Sequence, residues 1–218
     1  MTTLPQTQSI RLTLEGGWLS IDFATPENRN ALTTELSAEL METLDAVRDD
    51  RSVRGITLRG DGGVFCAGGD LKHFKAAFQD GDSVRDDVVA ANLAGAALFE
   101  RINAAPQVVI ALVEGAAIAG GLGVACCADV VVVERKTKFA LTETQLGIIP
   151  AQIAPHVARR IGVPAARRLM LTGAHFTGDE AGSLGIADRI VDGADELDAA
   201  ETAIKEDVAR CAPGANAA

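Results

Sequence analysis

The sequence predicts an α/β fold with a parallel sheet at its centre. Three observations carry that reading. Residues 108–113 and 130–133 are near-continuous apolar runs, as strands buried on both faces require. Stretches of strand and helix character alternate along the chain. Two of the strand-like runs end in glycine-rich turns that lead into plausible helix starts. No low-complexity linker or clear domain break interrupts this order, and 218 residues suffice for one good-sized domain, or a domain and an appendage.

The elements follow in order. Residues 10–14 and 18–23 alternate apolar and polar side chains around Glu15-Gly16-Gly17, which reads as a hairpin. Pro26-Glu27-Asn28-Arg29-Asn30 has the chemistry of a loop. Leu36, Leu40, Leu44 and Val47 recur at helical spacing and predict a surface helix to about Asp50. Residues 53–58 form a short β-rich run, and residues 84–103 a long helix. After the strand at 108–113 comes a glycine turn with a short helix through Cys127. Strands at 130–133 and around Phe139-Ala140 follow. Beyond Pro150 the chain reads as helical over 157–161 and 165–171, then as a last strand over 186–191 and a charged helix over 196–210. The strand, glycine turn and helix units are only loosely self-similar, too loosely to define a sequence repeat.

Composition narrows the function. Apolar residues make up 48% and charged residues 23%, ordinary for a soluble globular protein. A formal charge of -10 argues against a general binder of nucleic acid or anionic membranes. Arg29, Arg54, Arg59, Lys72 and Lys75 fall in the first third of the chain and are candidates for a local basic patch toward a phosphorylated ligand. The four cysteines, Cys66, Cys126, Cys127 and Cys211, form no C-x-x-C pair, and Cys126 and Cys127 read as buried small hydrophobes. No disulfide framework is expected, which suggests a reducing compartment. Residues 1–8 lack an apolar signal region, and no run approaches the ~20 apolar residues of a bilayer span. The expected location is the cytoplasm.

The chemistry is concentrated in three places. The first turn is Val64-Phe65-Cys66-Ala67-Gly68-Gly69-Asp70-Leu71-Lys72, and the second Glu114-Gly115-Ala116-Ala117-Ile118-Ala119-Gly120-Gly121-Leu122-Gly123. A helix start exposes backbone N–H groups without helical partners, and its dipole favours negative charge. Two such turns facing one point can hold an oxyanion. The third place is Glu143, flanked by Leu141, Leu146 and Ile148. An apolar setting would raise its pKa into a useful acid/base range. Competing motifs fail. From Gly121 the residues lack the third glycine of a dinucleotide fingerprint, no Lys-Ser or Lys-Thr pair follows Gly120, and G-x-S-x-G is absent. His73, His156 and His175 have no metal-like spacing and Cys66 has no activating partner, so these read as structural. No metal site is expected.

Several stretches together resemble the enoyl-CoA hydratase/isomerase (crotonase) superfamily over about residues 10–210. They are 26–32, 65–72, 115–129, 139–150 and 176–185. The resemblance implies a ββα spiral core over residues 1–195. It also implies that residues 196–218 begin a C-terminal helical region, which typical members continue with further helices that cover the acyl site and build a trimer. Coenzyme A thioesters would be the substrates, with no further cofactor, and a homotrimer or dimer of trimers the assembly.

By the same mapping, the N–H groups of Gly69 and Gly120 would hold the thioester oxygen, and Glu143 would be the acid/base. Ala67, Gly68, Asp70, Leu71 and Lys72 would line the coenzyme A site, with Arg29 and Ala31 against its nucleotide or pantetheine part. One departure stands out. Many hydratases of the family carry a second glutamate where this chain has Gly123. Residues 115–129, 141–143 and 149–151 look most like bacterial branched glutaconyl-CoA hydratases of leucine and acyclic terpenoid breakdown, which also have glycine there. Removing that side chain is expected to open room for a branched or carboxylated acyl group. The leading expectation is therefore a hydratase. The alternatives are an isomerase using Glu143 as single base, and a non-catalytic acyl-CoA-binding subunit.

Overall fold

A computed structural model describes residues 2–69 and 85–217. Strands β1 (Ile10–Glu15) and β2 (Trp18–Phe23) form the expected hairpin. Gly16 and Gly17 make its turn at φ 58° and 78°, where a Cβ would be strained. Helix α1 (Thr34–Val47) starts at Thr33, whose side chain accepts the N–H of Leu36, and it buries Leu36, Leu40, Leu44 and Val47. Then follow β3 (Gly55–Gly60), α2 (Arg85–Asn103), β4 (Val108–Val113), β5 (Ala116–Ile118) and α3 (Gly120–Cys127). After these come β6 (Val130–Glu134), β7 (Lys138–Ala140), a short 3-10 helix (Glu143–Leu146), α4 (Ala154–Ile161) and α5 (Val163–Thr172). The chain continues through β8 (His175–Thr177), α6 (Gly178–Leu184), β9 (Arg189–Val191), α7 (Ala194–Ala209) and α8 (Pro213–Asn216).

The larger sheet has the order β1-β2-β3-β4-β6-β9, and every pairing from β2 onward is parallel. A second sheet has the order β5-β7-β8, with β5 and β7 parallel and β8 antiparallel. The chain passes from the first sheet to the second and then into a helix, through β4, β5 and α3, and again through β6, β7 and α4. The segment after β3 joins the same pattern, because Cys66 bridges Ala117 of β5 in parallel. The loosely similar units of the sequence are thus successive turns of one spiral. Their likeness lies in hydrogen bonding rather than in residue identity.

The main core lies within the spiral, where Phe23, Phe65, Phe99 and Phe139 are fully buried. A second cluster on the other face of the large sheet packs Trp18, Ile110 and Val132 against Leu197, Ala200 and Val208 of α7. Polar contacts fix that helix. Trp18 donates to Thr57 (2.8 Å), Thr57 donates to Glu201 (2.5 Å), and Lys205 bonds Glu201 while lying 5.3 Å from the Trp18 ring.

Strands β5 and β8 and helix α6 were not predicted. The strands have three residues each, too few to show a period. Helix α6 did carry a readable start, a capping box between Thr177 and Glu180, in a segment otherwise poor in apolar periodicity.

Candidate active site

The two glycine turns meet. Cys66 donates its N–H to Ala116 (3.0 Å) and accepts from Ile118 (3.0 Å), which lays the first turn along β5. Gly68, at φ 94°, packs so closely that a Cβ there would lie 2.7 Å from the Ile118 carbonyl and 3.5 Å from the Gly120 nitrogen. A Cβ on Gly120 would lie 3.7 Å from the Gly69 nitrogen. Among the described residues, no hydrogen-bond partner takes the N–H of Gly69 or of Gly120. Among the described residues both donors are therefore unspent, and the two turns bring them close together.

Backbone strain sets the second donor. Ala119, just before α3, has φ 51° and ψ -116°, a conformation that costs an L-residue of order 1–3 kcal/mol. Two hydrogen bonds hold it there. Its N–H donates to Ala140 of β7 (2.8 Å), and its carbonyl accepts from Gly123 (3.0 Å). Gly120 then opens α3, at the positive end of the helix, where its N–H has no partner within the helix.

The first turn is braced by the 25–32 loop. Ala67 donates to Arg29 (3.0 Å) and Leu32 donates to Gly68 (2.8 Å). Arg29 and Asn30 adopt φ 59° and 55°. The fully buried Asn30 side chain secures this geometry by accepting from Thr25 and donating to the carbonyls of Asp61 and Val64. Sequence reading placed Asn30 in a loop motif but assigned it no part in the site. The Cys66 thiol accepts the N–H of Gly68 (3.4 Å), and its burial pushes the pKa up to about 12. It packs, as expected, and is not ionised.

Glu143 begins the 3-10 helix that follows β7. Burial pushes its carboxyl above the ordinary range, opposed only by its own backbone N–H. Its Oε2 is buried and has no hydrogen-bond partner among the described residues. Of the three expected apolar neighbours, Leu141 is fully buried but Leu146 is 49% exposed, so the apolar setting is one-sided.

Two expectations change. The space beside Gly123 is not open, since a Cβ there would lie 2.3 Å from Ile153 Cγ2 and 3.0 Å from the Phe99 ring. The glycine admits Ile153 from the neighbouring loop instead of making room for ligand. The basic patch is also divided. Arg59 is bound to Glu114 and Asp198, and Arg54 donates to the carbonyls of Val208 and Cys211 near the end of α7. Arg29 is exposed beside the first turn, and Ala31 is half-buried next to it. Asp70, Leu71, Lys72, His73 and Lys75 lie outside the described residues. Two hollows of about 370 and 450 Å³ sit at the C-terminal ends of α1 and α2, and neither includes a residue of the two turns. The described residues contain no group of side chains suited to a metal ion, and no described helix is long and apolar enough to cross a membrane.

The fold is the ββα spiral of the crotonase superfamily. A family model described as enoyl-CoA hydratase/isomerase matches residues 13–217, and the chain belongs to that family. AtuE of Pseudomonas aeruginosa is 46% identical with a TM-score of 0.91, over 96% of this chain and 80% of that one. A carnitinyl-CoA dehydratase of Proteus mirabilis is 33% identical over 97% of this chain and 78% of its own length. A Thermobifida fusca enoyl-CoA hydratase-type structure in complex with acetoacetyl-CoA is 28% identical with a TM-score of 0.83, over 95% of this chain and 83% of that one.

Proposed function

We propose that the protein is a hydro-lyase that adds water across the C2=C3 bond of an enoyl-CoA thioester. The observation that carries this is the pair of neighbouring N–H groups of Gly69 and Gly120, unspent among the described residues. The thioester carbonyl oxygen accepts both. Water attacks C3 as Glu143 takes its proton, and the C2=C3 electrons move toward the carbonyl to give an enolate. The two donors stabilise the negative oxygen by several kcal/mol, of the order measured for oxyanion donors in general. The enolate collapses as Glu143 returns a proton to C2, so the carboxylate ends as it began. A buried carboxylate with a raised pKa suits both transfers.

The other site assignments rest on the same reading. Arg29 and Ala31 face the nucleotide or pantetheine part of coenzyme A, and Ala67, Gly68, Asp70, Leu71 and Lys72 line its path. Gly123 contributes by admitting Ile153. Coenzyme A enters as part of the substrate and no further cofactor is needed. The location is cytoplasmic and the assembly a homotrimer or dimer of trimers. Residues 1–195 form the spiral domain, and 196–218 open the helical region. The likeness to branched glutaconyl-CoA hydratases points to branched-chain acyl-CoA catabolism.

One observation favours a second reading. Ile153 occupies the space beside Gly123, so no carboxylate enters from that position beside Glu143. A single base suffices for an isomerase that moves a proton between C4 and C2. The test is the absorbance of the conjugated thioester with crotonyl-CoA, 3-methylglutaconyl-CoA and a 3-enoyl-CoA. Loss of conjugation from a 2-enoyl substrate establishes hydration. Gain of conjugation from the 3-enoyl substrate alone establishes the isomerase. Binding of acyl-CoA without either change leaves a non-catalytic subunit.

A further inference from the structure

Two consecutive residues, Gln152 and Ile153, each occupy a notch made by a glycine on a different helix. A Cβ on Gly95 of α2 would lie 2.5 Å from Gln152 Oε1, and one on Gly123 of α3 would lie 2.3 Å from Ile153 Cγ2. The Gln152 amide is the far end of a flexible side chain and could give way. The branched Ile153, whose own Cβ would lie 2.9 Å from one on Gly123, could not without a shift, so Gly123 is the condition for its placement. The Gln152 amide is further fixed by donating to Asn92 Oδ1 (3.1 Å). The pair thus pins the loop after Glu143 to α2 and α3 at once.

Ile153 lies beside the oxyanion donor. Gly120 and Gly123 are three residues apart on α3 and share a face, where neighbouring Cβ positions are about 5–6 Å apart. Phe99 marks that face, approaching within 3.7 Å of a Cβ on Gly120 and 3.0 Å of one on Gly123. Leu32 Cδ1 closes the other side, 3.0 Å from a Cβ on Gly120. An acyl chain whose carbonyl oxygen meets the Gly120 N–H therefore places its first carbons over an apolar floor of Leu32, Phe99 and Ile153. Of the three, only Ile153 is delivered from the segment that follows Glu143.

We infer that Ile153, seated in the Gly123 notch, is the specificity-determining residue for the first carbons of the acyl group. It narrows the floor near C3, so trimming it admits more bulk there. This rests on the acyl-CoA reading given above and deepens it.

The test compares wild type, Ile153→Val and Ile153→Ala for binding of butanoyl-CoA and 3-methylbutanoyl-CoA by calorimetry. These saturated thioesters bind without turnover. One methylene in an apolar pocket is worth on the order of 10–200-fold in discrimination. In Ile153→Ala the affinity for the branched thioester relative to the linear one is expected to rise about tenfold. Ile153→Val should shift the ratio in the same direction by less, and it carries the reading if the alanine variant does not fold. A ratio within about twofold of wild type in the folded variants, with both thioesters bound by wild type, overturns this inference alone. Failure of wild type to bind either thioester overturns the acyl-CoA reading and the inference with it.

Discussion

Ala119 donates its N–H to the carbonyl of Ala140 at 2.8 Å, and that bond joins the two halves of the site. Ala140 ends the strand that leads to Glu143, three residues on, and Ala119 precedes Gly120, a Cβ on which would lie 3.7 Å from the Gly69 nitrogen. Gly120 and Glu143 thus follow neighbouring strands of one small sheet.

Replacing Glu143 with glutamine should lower turnover about 10²–10⁴-fold, the usual value of a positioned general base, while acyl-CoA affinity is retained. Enoyl thioester absorbance reads the first and calorimetry the second. Loss of binding in step with turnover would count against a proton-transfer role.

The same carboxylate makes stability depend on pH. Its folded pKa is raised, so the folded state holds the proton more tightly than the unfolded state does. Its contribution is therefore fully present below the unfolded pKa, near the ordinary value of 4.5, and is lost as pH rises through the folded pKa. Glu143→Gln should melt above wild type at neutral pH, with the gap closing on acidification. A gap independent of pH would contradict the burial of the charge.

Ala119→Gly should stabilise the protein by about 1 kcal/mol, because glycine adopts the positive φ at little cost. Urea unfolding measures this. A loss of stability would show that the alanine methyl contributes more by packing than the backbone costs in strain.

Asn30→Ala should cost about 3 kcal/mol, since it strips partners from one buried N–H and two carbonyls together. Chemical denaturation gives the value. A cost below about 1 kcal/mol would mean that the 25–32 loop holds the first turn without its side chain.

Of the four cysteines, Cys211 is exposed and the other three are buried. Burial pushes the thiols of Cys66 and Cys126 up to about 12, and that of Cys127 up as well. A thiol reagent should therefore label one cysteine in the native protein and four after denaturation. Rapid native labelling of a second would mean that the turn around Cys66 or the α3 helix opens.

Much of the architecture was legible because it is written in local periodicity. The run at Val108–Val113 became the central strand without change of bounds, and the 36–47 spacing became the buried face of α1. The three-residue strands were not legible, because β5 exists only through its pairing with β7 and its contact with Cys66. Within the site, glycine turns and a lone glutamate could be singled out by type. The brace from Asn30 could not, since a buried asparagine and a loop asparagine read alike.

By itself the sequence determined the alternation of strands and helices, the two glycine turns, Glu143 and the family likeness. These depend on residue type and near-neighbour spacing, which the chain displays in one dimension. Only the tertiary structure decided that Gly69 and Gly120 lie close together, that Ala119 just before Gly120 is strained, and that Arg54 and Arg59 are spent on other partners. It also decided that Gly123 admits Ile153 rather than opening a pocket. A glycine in a sequence marks an absent side chain, but what fills the space it leaves is fixed by whichever distant segment packs against it.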